Sequence, residues 1–110
     1  MSAKNDIAVI KYGYARDLFE QAAEAVKQCE TILWRMETIK RAAERGDSKA
    51  AARLAEKEIK AYAAKLEKLR MDAFFCAQDV MHHARICGDF GHEVNSPVLD
   101  RAQAIIDHTR

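Results

Sequence analysis

The sequence predicts an all-α fold: a long antiparallel helical hairpin followed by a short C-terminal helix. Three observations carry this expectation. The 110 residues include only one proline and four glycines, while 49% are hydrophobic and 32% charged, a mixture that long helices use. Apolar residues recur at alternating intervals of three and four through two extended stretches, which is the period of a helix face and not of a strand. Between those stretches lies ERGDS, residues 44–48, rich in helix-stopping and helix-starting residues.

The first helix is expected over about residues 6–45. Its seam runs Tyr12, Ala15, Phe19, Ala22, Val26, Cys29, Leu33, Met36 and Ala43, with Lys40 taking one seam position. Asn5 or Asp6 is a suitable N-cap, and Ala8 carries the register back past Gly13. Beside the seam, Leu18, Ala25, Ile32 and Ile39 repeat every seven residues, widening the apolar face beyond what one partner helix covers.

A turn at 46–47 follows, with Gly46 expected in the left-handed conformation and Asp47 or Ser48 capping the next helix. The second helix, about 48–87, continues the three-four spacing through Ala52, Ala55, Ile59, Tyr62, Leu66, Leu69, Ala73, Cys76, Val80, His83 and Cys87. Gly88 and Gly91 end it, and residues 88–96 form a loop. Ser96 then Pro97 open a third helix over about 97–109, with Asp100 in its first turn and Val98, Leu99, Ala102, Ile105 and Ile106 on one face. All 110 residues are read as one helical domain.

Surplus apolar surface points to partners. Met71, Phe74, Phe75 and Met81 form a second stripe off the seam of helix two, close to Ile7, Ile10 and Tyr14 of helix one. The third helix is expected to fold back over one of these faces. What remains is too wide for a monomer, so a homodimer forming a four-helix-bundle-like assembly is expected, together with a further protein partner. Trp34, off the seam, joins Phe74, Phe75 and Met81 as the predicted partner-binding anchors. The expected function is a non-enzymatic interaction module: an adaptor, assembly factor, chaperone or stoichiometric inhibitor.

Two alternatives are carried with it. Formal charge is only +1, so no global field draws the chain to nucleic acid or an anionic membrane. Residues 40–60, however, hold seven basic against four acidic side chains, and Arg45, Lys49, Arg53, Lys57 and Lys60 form a near-periodic column that phosphates could use. Glu44, Glu56 and Glu58 dilute it, and no aromatic residue lies within the segment to stack on bases. The second alternative is a metal site from Cys76, His83, Cys87 and His92, whose residue types suit zinc but whose spacing lacks two close ligand pairs. The preferred reading makes His83 a polar register-setting residue in the seam, with no cofactor.

Arg101 and His108, with six residues between them, fall within the arginine-to-histidine spacing of the HEPN ribonucleases, but Ala102 stands where a polar residue commonly follows the arginine, and the match is read as coincidence. Three cysteines at no framework spacing fit reduced thiols. With no apolar run near 18 residues and no signal-like start, a cytoplasmic protein is expected, without a membrane span.

Overall fold

The computed structural model describes residues 3–91 and 96–109, with the side chains of 6–91 and 96–108. Three helices follow in order: α1 (Ala3–Arg45), α2 (Lys49–Asp89) and α3 (Pro97–Thr109). The two long helices pack against each other as an antiparallel hairpin, and the described residues contain no strand. The all-α hairpin with a short third helix is therefore the fold.

The helix ends follow local chemistry. α1 starts three residues earlier than expected, because Ala3 and Lys4 are good helix formers and Asp6 then occupies the first turn, where its carboxylate meets the positive end of the helix dipole. At the turn, the left-handed residue is Asp47 (φ 57°), not Gly46. Two hydrogen bonds explain the correction: Ser48 N–H donates to the Ala43 carbonyl (2.9 Å) and Asp47 N–H to that of Glu44 (3.3 Å). This pair closes a Schellman motif with Asp47 one residue past the cap, a place where aspartate is tolerated. Ser48 then hands the chain to α2, its carbonyl accepting the Ala52 N–H at 3.0 Å.

α2 continues through Gly88 to Asp89, and the left-handed turn comes at Gly91 (φ 85°). Ser96 caps α3 as its sequence implies, its Oγ accepting the Val98 N–H at 3.3 Å and its carbonyl that of Leu99 at 3.0 Å.

The chain divides into two compact units. The first comprises Met1–Ala23 and Met71–Arg110. Its core joins all three helices: Ala15 and Phe19 from α1, Ala77 and Val80 from α2, and Val98, Ala102 and Ile106 from α3. Phe19, Ala77, Val80 and Ala102 have no exposed surface. Alanine at the contact points lets the helices approach closely, and Phe19 fills the space between them. Arg101 of α3 bonds Glu20 of α1 at 3.2 Å, an exposed pair that marks the flank of α1 on which α3 rests. Near the N-terminal end of α1, the Cys87 thiol donates to the Ala8 carbonyl at 3.3 Å.

The second unit, Glu24–Arg70, consists of the remaining stretches of α1 and α2 and the turn. Cys29, Ala55 and Leu66 are buried there, while the other seam residues, among them Val26, Leu33, Met36, Ile59 and Leu69, are half-buried. Cys29 donates to the Tyr62 carbonyl at 3.5 Å, and Arg70 lies 4.0 Å from Glu30. A two-helix layer buries less than three helices do, which is why its seam stays partly open.

Candidate functional site

A stripe on α1 in the first unit stays open: Ile7, Ile10, Tyr14 and Leu18 are each half exposed or more, Tyr14 most of all at 69%. Steps of three, four and four residues keep all four within an arc of about 80°. Within that arc, between residues 7 and 18, no charged residue falls. The buried seam, Ala8, Ala15 and Phe19, lies about 120° around the helix, and Glu20, held by Arg101, lies about as far again beyond it. The seam and Glu20 thus stand about 120° to either side of the stripe, and α3, which meets both, lies on the side of α1 away from it.

The predicted anchors separate in the structure. Phe74 and Met81 are half-buried and pack against the core where α3 lands. Phe75 remains 57% exposed, its ring set edge-on to Phe74 with centroids 5.6 Å apart, and Met71 is exposed one turn before it. Trp34 belongs to the second unit and is 63% exposed. The single stripe expected on α2 is thus two: one side under α3, the other facing out. Ile7, Ile10, Tyr14 and Leu18 were absent from the predicted anchors, although their three-four spacing beside the seam was the available signal.

The basic residues Arg45, Lys49, Arg53, Lys57 and Lys60 are all exposed in the second unit. Arg45 Nε donates to the Arg41 carbonyl at 3.4 Å, and Lys40 pairs with Glu44 at 3.9 Å.

Of the metal alternative, His92 lies outside the described residues. Cys87 is buried and turned to Ala8, while His83 Nε2 lies 3.6 Å from Asp79 Oδ1 one turn away on its own helix. The seam histidine thus has a polar neighbour one turn away within α2. Its ring stands edge-on to that of exposed His82, centroids 5.2 Å apart. Among the described residues, no three His, Cys, Asp or Glu side chains gather to hold an ion. Burial raises the Cys87 thiol above its ordinary value; for Cys76 burial does the same, helped by the nearby Asp72 and Asp79 carboxylates.

Arg101, whose spacing to His108 drew attention, is engaged with Glu20. Among the described residues, no helix is long and apolar enough to cross a membrane. Comparison with protein-family models, curated proteins and solved structures finds no match.

Proposed function

We propose that the protein is a non-enzymatic helical interaction module, one that pairs with a second copy and presents its remaining apolar helix surface to another protein. An adaptor, assembly factor, chaperone or stoichiometric inhibitor works in this way. One observation carries the reading: in the first unit, after α3 has covered one side, large apolar side chains remain exposed on both α1 and α2. Patches of this kind on a folded chain mark interfaces more often than not. Phe75 and Trp34 are the outward anchors, since exposed aromatics supply large contact area at low entropic cost.

The test compares affinity-purified wild type with Trp34→Ser and Phe75→Ser variants, with light scattering on each. A protein that co-purifies in near-stoichiometric amount with wild type and is lost with either variant supports the reading. Identical recovery with wild type and both variants removes Trp34 and Phe75 as anchors.

A further inference from the structure

We infer that the outward face of α2 in the second unit, from Lys49 to Ala61, is a docking surface for an acidic amphipathic helix of another protein. The inference rests on the interaction-module reading and names, for one surface of that module, the chemistry of its partner.

Lys49, Arg53, Lys57 and Lys60 are all exposed, and at 100° per residue they fall within one arc of about 80°. A rise of 1.5 Å per residue sets them at intervals of about 6, 6 and 4.5 Å along the axis. No acidic residue of this stretch falls within the arc. Glu56 borders one edge, and Glu58 stands past the other, beyond Ala50, Leu54 and Ala61.

Local energetics oppose this arrangement. Lys49 with Arg53 and Arg53 with Lys57 are like-charged pairs four residues apart, and Lys57 with Lys60 is one three apart, each destabilising to the helix that carries it. Lys49 also opens α2, at the positive end of its dipole, and the first turn holds no acidic residue. Among the described residues none of the four cations has a carboxylate at ion-pair distance, whereas Lys40 and Arg70 of the same unit pair with Glu44 and Glu30. A helix surface that only has to stay wet alternates its charges. A column of one sign, kept against the helix's own preference, is met by an anion from outside.

The rest of the face selects the kind of anion. Ala50, Leu54 and Ala61, all exposed, line up along the Lys57 side of the column within a further arc of about 40°, and Leu54 is 67% exposed. A basic row beside an apolar row complements an amphipathic helix whose acidic row borders its apolar one. Carboxylates at three-four spacing on that helix rise at the same pitch as the cations. Alanine on either side of Leu54 leaves room for a second helix to approach closely. Phosphodiester chains have no use for Leu54, and no aromatic residue lies between 40 and 60 to stack on bases. A lipid surface would need more than one large apolar side chain to hold the helix in its boundary.

Charge also guides the approach. The second unit holds twelve basic against eight acidic side chains, and the first unit six against nine. An acidic partner is therefore drawn to the second unit and repelled by the first. One helix laid on another buries little area, so the contact is transient and weakens with salt.

Fluorescence anisotropy with the full chain tests this surface. The probe is a labelled synthetic helix of about 20 residues, with glutamates at three-four spacing beside a leucine stripe. Phosphatidylserine–phosphatidylcholine vesicles and duplex DNA are measured beside it. One variant carries Lys49→Gln, Arg53→Gln and Lys57→Gln; a second carries Lys27→Gln, Arg35→Gln and Arg41→Gln, removing equal charge from α1 of the same unit; a third is Leu54→Ser. Circular dichroism confirms equal helicity. The expected result is peptide binding that fades with salt, with affinity lowered about tenfold or more in the α2 triple variant and about threefold in Leu54→Ser, and changed less than about twofold in the α1 triple variant. Equal losses in the two triple variants would reduce the effect to net charge and overturn the surface. Tighter binding of vesicles or DNA than of the peptide, lost in the α2 triple variant, would overturn the protein partner. No peptide binding at low salt would overturn the inference, while capture of a protein through Trp34 and Phe75 decides the interaction-module reading separately.

Discussion

Truncating Phe19 is the sharpest probe of how the first unit holds together. The side chain is fully buried in a cluster with Ala15, Ala77, Ala102, Val80, Val98 and Ile106, against which Tyr12, Phe74, Met81 and Ile105 pack from the edges. Phe→Ala changes in cores cost about 3–5 kcal/mol, the larger figure applying where the surroundings cannot collapse into the hole. The alanines on three helices cannot reach into it and the larger side chains at the edges fill it only in part, so a mid-range cost of about 4 kcal/mol is expected for Phe19→Ala. Domains of this size have ~5–15 kcal/mol in total, so the variant is left near the edge of stability. Urea unfolding followed by far-ultraviolet circular dichroism, at fixed protein concentration, should show the midpoint falling by about 2 M. Phe75→Ala removes the same atoms from a ring that is mostly exposed, losing part of one edge-on contact with Phe74, and should cost about 1 kcal/mol or less. Equal losses at the two positions, or less than about 1 kcal/mol at Phe19, would refute the three-helix core as described.

Other outcomes follow from single features. Asp47→Gly should stabilise the chain by roughly 0.5–1 kcal/mol, because a left-handed residue with a side chain is replaced by one that adopts φ 57° freely; thermal unfolding reads it, and a loss of stability would contradict the Schellman assignment. Stability should also decline at alkaline pH. Burial raises the folded-state pKa of Cys87 and Cys76, so their contribution is complete below the unfolded thiol's value and is lost as pH rises through the folded one. Melting temperatures of wild type and the Cys76→Ala, Cys87→Ala double variant, measured from neutral to alkaline pH, should therefore diverge in slope above neutrality; parallel curves would contradict the assignment. Gel retardation with DNA and RNA at low salt should show no shift. A shift that vanishes when Arg45, Lys49 and Arg53 become glutamine would give the basic column a nucleic-acid role instead.

Much of the fold was legible because helix periodicity is a strong signal over long stretches. Ala15, Phe19 and Cys29 on α1, and Ala55, Leu66, Ala73, Val80 and Cys87 on α2, all fall on the seam read from spacing, and all are buried. The Ser96–Pro97 start of α3 was equally plain, since cap chemistry is local. The left-handed residue was misassigned because glycine is the usual choice, whereas the hydrogen bonds that close the turn decide which residue occupies that place. Periodicity also could not say where α3 lands. Phe74 and Phe75 are adjacent and chemically identical, yet one packs against the core and the other faces out, a difference set by the third helix. For the same reason the uncovered stripe on α1 became identifiable as a surface only once Arg101 and Glu20 fixed the side that α3 occupies.

The claim on which the account turns is that this chain does not hide its apolar helix surface alone. Its mass in solution tests that claim most directly. Sedimentation equilibrium of the untagged 12.4 kDa chain across a wide concentration range should return twice that mass at the upper end, with dissociation on dilution. A single species of 12.4 kDa at every concentration would contradict it.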